Sequence, residues 1–143
     1  MKRTISTIIL IAILTITLSA CGMGKVKIED YEWKMRTIIH GEDNQVVVDA
    51  VGEDDPAHPE AKIIDMTLTA KYGKITITDH TNNKTYEGTY KVEQKTPVGT
   101  DYKVTIDGKE GYATVAMTTY ADGTEEPTLP INLGTHSIYF CAE

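Results

Sequence analysis

The sequence is short of proline, tryptophan, phenylalanine and basic charge. Its 143 residues include 5 Pro, 1 Trp and 1 Phe, with 41% hydrophobic and 24% charged residues. This is the composition of an ordinary globular chain, and it excludes a collagen-like, disordered or multi-span membrane protein. The formal net charge is −7, from 14 Lys and Arg against 21 Asp and Glu. Because no basic run follows the first three residues, we expect no nucleic-acid partner. At this length we expect a single folded domain.

Serine is also scarce, which limits the chemistry that the chain can offer. After Cys21 only Ser137 remains, and no Gly-x-Ser-x-Gly motif or Gly-rich phosphate loop is present. Ser137 stands beside His136 on a predicted strand, where adjacent side chains point to opposite faces and are poorly placed to act together. The sequence therefore indicates neither a catalytic site nor a cofactor. An extracytoplasmic hydrolase acting on envelope substrates is kept as an alternative function.

The N-terminus has the layout of an export signal. Lys2-Arg3 precede an apolar stretch over residues 5–18, which is shorter than the roughly 20 apolar residues of a spanning helix. We therefore predict a signal peptide over residues 1–20 that is removed. It ends in Leu18-Ser19-Ala20-Cys21. These four positions, in this order and at the end of the apolar stretch, resemble the lipobox of bacterial lipoproteins.

The lipoprotein resemblance implies a role for each of these residues. Leu18, Ser19 and Ala20 would be recognised by the signal peptidase, and Cys21 would carry a thioether-linked diacylglycerol and usually a further acyl chain such as palmitate. At about 0.8 kcal/mol per buried methylene, two or more chains give stable anchoring. The resemblance thus implies a protein held by its lipid on the extracytoplasmic face of the cell membrane, or on an outer membrane if the cell has one. Residues 21–29 form the lipidated cysteine and a short tether, and Cys141 is left as an unpaired, buried strand residue.

Beyond the tether, apolar residues alternate with polar ones at a period of two, which indicates β-strands. The alternation is cleanest over residues 63–72, and Asp107-Gly108 is a strong hairpin signal. On the first strand, we expect Tyr31, Trp33, Met35 and Ile39 to share one face. Residues 30–143 are predicted to form one all-β domain, an antiparallel meander of about eight to nine short strands. An up-and-down barrel is the first choice and a two-sheet β-sandwich is the alternative.

Proline restricts one of these strands. Pro127 and Pro130 flank and interrupt the segment over residues 128–133. Because proline lacks the N–H that a sheet ladder needs, we expect this segment to lie at a sheet edge or to be only partly paired.

The layout also resembles the lipocalin-like domains of small bacterial lipoproteins without an assigned role. Lipocalins have Gly-x-Trp on the first strand and Thr-Asp-Tyr further along. Here Trp33 lies on the first strand and Thr100-Asp101-Tyr102 provides the second motif. The chain departs from the pattern at Tyr31, which replaces the glycine, and the short helix before the first strand is not evident. The resemblance implies a barrel and no particular ligand.

No metal site is predicted. The histidines, at positions 40, 58, 80 and 136, have neither the helical i, i+4 nor the His-x-His strand spacing that builds a metal site locally. The loop Glu53–Glu60 is acidic but lacks the EF-hand order of ligands. We interpret it as a solvated loop, with a calcium site as the weaker hypothesis.

Tyrosine and threonine side chains provide the remaining candidates for recognition. If they point into the barrel, they form a pocket that orients a small apolar ligand or a peptide. If they point outward, they form a patch for an envelope protein or are ordinary sheet residues. The function expected is a binding or interaction module, with a structural or inhibitory protein that has a filled barrel as a further alternative. The candidate residues are Tyr86, Tyr90, Tyr112, Thr114, Thr118 and Tyr120.

Overall fold

The computed structural model of the chain describes residues 26–49 and 61–143. These residues form a short 3-10 helix, Ile28–Asp30, and a set of strands. No helix within these two ranges is long and apolar enough to cross a membrane. The strands are β1 (Trp33–His40), β2 (Gln45–Asp49), β3 (Lys62–Ile63), β4 (Met66–Lys71), β5 (Lys74–Asp79), β6 (Lys84–Lys95), β7 (Gly99–Ile106), β8 (Lys109–Thr119), β9 (Glu125–Leu133) and β10 (His136–Ala142).

Eight of the strands close into an antiparallel barrel. Strands β4 to β10 pair in sequence order, β10 pairs with β1 along its length, and β1 returns to β4 through the pair Trp33 and Leu68. Closure pairs the edges that an open meander would leave exposed. The predicted all-β, up-and-down barrel is confirmed, and the sandwich alternative is not adopted.

Two short strands lie outside the barrel wall. β2 pairs with the second half of β1, and β3 runs parallel to β2. The single strand expected over residues 63–72 is therefore two strands, β3 and β4, because Ile64 and Asp65 leave the ladder. The helix Ile28–Asp30 occupies the place of the short helix that was not evident in the sequence.

A β-bulge reverses the side-chain alternation within β1. Met35 pairs with Phe140, whereas Thr37 pairs with Tyr139, so that Arg36 is the extra residue. After the bulge Ile38 packs against the core and Ile39 lines a groove on the outer wall. The expectation that Ile39 shares a face with Met35 is wrong, because one inserted residue shifts a period-two pattern by one position.

Strand β9 is not at an edge. It pairs with β8 on one side and β10 on the other, which corrects the edge expectation. Its partial pairing is nevertheless found, since the register with β8 is interrupted at Leu129 and Pro130 and resumes at Ile131. The strand thus contains two prolines, Pro130 within this gap and Pro127 in register with Met117.

Large apolar side chains fill the centre of the barrel. Those with less than 2% exposure come from the helix and from strands all around the wall, so that one contiguous core is shared by the whole domain. They are Ile28, Trp33, Met35, Leu68, Ile75, Val104, Val115, Leu129, Ile131 and Phe140.

Candidate functional site

One end of the barrel is closed by the short helix. Ile28 is fully buried there, and both of its backbone groups are bonded to side chains of the wall. Its carbonyl oxygen accepts a hydrogen bond from Trp33 Nε1 at 2.8 Å, and its N–H donates to Tyr102 Oη at 3.3 Å. Buried backbone groups need such partners. We call this closed end the floor.

Two tyrosines of the floor are kept neutral by their surroundings. The Tyr90 hydroxyl donates a hydrogen bond to the Glu29 carboxylate. Burial, followed by this contact with an anion, raises the pKa of Tyr90 to about 12. Burial also raises the pKa of Tyr102, whose ring packs edge-to-face on that of Tyr90 at 5.7 Å between centroids. Both hydroxyls therefore serve the floor and are not directed at a ligand.

The opposite end, which we call the mouth, contains a cavity of about 200 Å³. It is lined mainly by inward-facing side chains that lie close to the ends of their strands at this end of the barrel. An engineered apolar cavity of about 150 Å³ is large enough to bind benzene. The mouth thus has room for a ring or a short hydrocarbon chain. Its apolar lining comes from Met66, Ile77, Tyr86, Ile106, Leu133 and Ile138.

Charged groups stand at the rim of the mouth. Asp107 and Lys109, from the hairpin between β7 and β8, complete the lining of the cavity. Lys84 Nζ lies over the Tyr86 ring at 4.6 Å from its centroid, which is a cation–π distance. Apolar walls with polar groups at the entrance are typical of small-molecule sites.

A second concavity lies on the outer wall, across strands β8, β9, β10 and β1. This groove has a volume of about 490 Å³, and Cys141 is one of its lining residues. Burial raises the pKa of the Cys141 thiol, so that the thiol is a poor nucleophile at neutral pH. Glu126 accepts a hydrogen bond from Tyr120 Oη at 2.8 Å and lies 3.6 Å from Arg36 Nη2. Cys141 is buried as expected.

The structure does not bring the six candidate tyrosines and threonines to one face. Tyr86 lines the mouth and Tyr90 belongs to the floor. The other four are on the outer wall, where Thr114 donates to Asp101 at 2.8 Å and Thr118 bonds Thr128 at 2.8 Å. Tyr112 is 55% exposed and Tyr120 42%. Only Tyr86 of the six belongs to the candidate site.

The other apolar side chains of the cavity were not predicted from the sequence to be site residues. Met66, Ile77, Ile106, Leu133 and Ile138 are apolar strand residues, like those that fill the centre. The signal that distinguishes them is position, since each is an inward-facing residue close to a strand terminus at the same end of the barrel.

The described residues offer no triad around Ser137. Ser137 Oγ donates to Asn132 Oδ1 at 2.5 Å, and the neighbouring His136 uses Nδ1 for Thr135 Oγ1 at 3.1 Å. Within residues 26–49 and 61–143, no group of three or more His, Cys, Asp or Glu side chains is arranged to hold a metal ion. The predicted lipobox Leu18–Cys21 and the acidic segment Glu53–Glu60 lie outside the described residues.

Comparison with known proteins assigns no family. No protein-family model, no curated protein and no solved structure matches the chain. The candidate site therefore depends on its own geometry.

Proposed function

We propose that the protein is a lipid-anchored, extracytoplasmic binding module that takes up a small apolar molecule, or the apolar part of an amphiphile, at the mouth of its barrel. The anchor is Cys21 in the lipobox Leu18–Cys21. The observation that carries the binding role is the cavity of about 200 Å³ with apolar walls at the open end of an otherwise filled barrel.

The composition of the mouth supports this role. Tyr86, Leu133 and Ile138 are only partly buried although they are large and apolar. Covering apolar surface stabilises a complex by roughly 25 cal/mol per Å² removed from water. Asp107 and Lys109 at the rim provide polar contacts for a head group. A ligand held there would keep its polar end in solvent.

The position of the anchor suits an exposed mouth. The chain reaches the barrel at Val26 and Ile28, which pack at the floor. Cys21 precedes Val26 by five residues, a span of at most about 18 Å when fully extended. A lipid on Cys21 would therefore hold the floor towards the membrane and leave the mouth at the far end.

Two other roles follow from different features. An interaction with an envelope protein would use the outer groove that contains Cys141, together with exposed apolar side chains such as Tyr112 and Tyr139. A hydrolase would need a serine or carboxylate pair facing one space, and Ser137 bonds Asn132 instead. The mouth cavity favours ligand binding over both.

The first experiment is native mass spectrometry of residues 22–143, which include every strand of the closed barrel, after exposure to an extract of the source cells. Retention of a mass of a few hundred daltons is the expected outcome. A domain that stays bare would refute the proposal and favour a filled scaffold that binds a protein partner.

A defined probe then locates the binding. We expect calorimetry to show that 1-octanol binds the domain. Leu133→Phe should weaken that binding at least tenfold, because the phenyl ring is larger than the leucine side chain and would occupy the mouth. The matched control is Val98→Phe, an exchange at a 77% exposed position at the floor end, which should leave octanol affinity unchanged. Equal affinity in both variants would exclude the mouth as the site.

A further inference from the structure

Two histidines that are distant in sequence face each other at the end of the seam that closes the barrel. His40 is the last residue of β1 and pairs with His136, the first residue of β10. Their ring centroids are 5.2 Å apart, with an angle of 70° between the ring planes. The backbone bond from Gly41 N–H to Thr135 O, at 2.6 Å, holds the two strand ends together just beyond the pair.

The bulge in β1 determines which side of the wall carries this pair. Ile38 and Ile138 are register partners that pack against the core. His40 and His136 are two residues further along the same strands, and side chains two apart share a face. The pair is therefore the next inward-facing row, at the rim of the mouth and above Ile138.

The same nitrogen is engaged on both rings. His40 Nδ1 lies 3.0 Å from Asp43 Oδ1, and His136 Nδ1 lies 3.1 Å from Thr135 Oγ1. Asp43 is itself oriented, because the same oxygen accepts the Gln45 N–H at 3.1 Å. A carboxylate on one ring nitrogen selects the tautomer that offers the other nitrogen to a metal, and it also makes that nitrogen a stronger ligand. Nε2 of His40 is thus free for a metal by this tautomer, whereas the Thr135 hydroxyl can donate to or accept from His136 Nδ1 and fits either tautomer of that ring.

We propose that His40 and His136 form a two-histidine site for a zinc-class divalent ion at the rim of the mouth, with Asp43 as the residue that positions His40. Two imidazoles bound to one tetrahedral ion, with metal–nitrogen distances of about 2.0–2.1 Å, have ring centroids about 5.2 Å apart. The observed separation of 5.2 Å fits this arrangement, and it is also an ordinary edge-to-face distance between two rings.

The site has two protein ligands and leaves the remaining positions to solvent or to a bound molecule. Catalytic zinc sites usually have three protein ligands and structural sites four, so two histidines leave at least two positions to solvent or to a bound molecule. Position at the rim would let the ion contact the polar end of a molecule in the mouth. The zinc site does not require a molecule in the mouth, since the pairing of β1 with β10 by itself positions the two histidines.

Zinc titration of the full-length protein in detergent micelles, followed by calorimetry, tests the site directly. We expect one zinc per chain, at least tenfold weaker binding in H40Q and in H136Q, and loss of this binding in the double variant. D43N should weaken binding about 10- to 100-fold, the range reported for groups that orient metal-bound histidine. H80Q is the matched control, because His80 is not part of the pair and its Nε2 bonds Thr67 Oγ1 at 2.9 Å. The zinc affinity of H80Q should equal that of the unaltered chain.

Nitrogen NMR of the unaltered protein provides a test that requires no variant to fold. Zinc should shift the Nε2 resonances of His40 and His136 together and leave that of His80 in place. The proposal is overturned if millimolar zinc moves neither resonance, or if the double variant binds zinc as tightly as the unaltered chain. The latter result would place zinc on another part of the chain.

Discussion

Shortening the buried side chain of the floor, Ile28→Ala, should destabilise the barrel without altering its hydrogen bonds. The exchange removes three carbon atoms from a fully buried position. Their transfer is worth about 0.8 kcal/mol each, or roughly 2.4 kcal/mol together, and the residual cavity brings the expected loss to about 3–4 kcal/mol. The bonds from Trp33 Nε1 and to Tyr102 Oη use the Ile28 backbone and remain available.

Urea unfolding followed by the fluorescence of Trp33, the single tryptophan of the chain, measures this loss. Trp33 is fully buried and bonded to Ile28, so its emission reports directly on the floor. With a urea slope of about 2 kcal/mol per molar, the midpoint should fall by roughly 1.5–2 M. Ile63→Ala is the matched control, since Ile63 is 47% exposed, and it should change stability by less than about 0.5 kcal/mol. If Ile28→Ala lowers the free energy of unfolding by less than about 1 kcal/mol, the conclusion that the helix closes the barrel is refuted.

Two further predictions concern polar groups in the barrel. Thr100 Oγ1 is buried and has no hydrogen-bond partner among the described residues, so Thr100→Val should stabilise the protein by about 1 kcal/mol in urea unfolding. Thr114→Val, which removes the bond to Asp101, should instead cost about 1 kcal/mol, and a destabilising Thr100→Val would contradict the argument. The pKa of Tyr90 is raised from 10.0 to about 12, so the unfolded phenol ionises first as the pH rises. The contribution of Tyr90 to stability should be constant below pH 10 and be lost as the pH rises from 10 towards 12. Unfolding at a series of alkaline pH values would measure this decline, and Tyr90→Phe should reduce it.

The strand content could be predicted because the signal for it is local. Each residue of a strand alternates sides, so a chain that buries one face of a sheet must alternate apolar and polar residues. The turn at Asp107-Gly108 is also local, since both residues adopt the positive φ of a tight hairpin, 49° and 76°. The barrel followed from strand number and short connections, because neighbouring strands pair and an open edge is costly.

The division of the candidate tyrosines and threonines into three locations could not be predicted in the same way. Tyr86 and Tyr90 share one face of β6, but they lie towards opposite ends of the barrel, one at the mouth and one at the floor. Periodicity specifies the face of a side chain. It does not specify how far along the barrel axis that side chain lies, since this depends on register.

By itself, the sequence determined the all-β class, the acidic charge and most of the strand faces, and it favoured a barrel over a sandwich, because these follow from composition and from spacing along the chain. Only the tertiary structure decided the site. The bulge at Arg36 turned His40 towards the mouth, and the β1–β10 register placed it against His136. Neither event has a local signal, because a bulge and a cross-strand pair arise from two segments that meet only after the barrel closes.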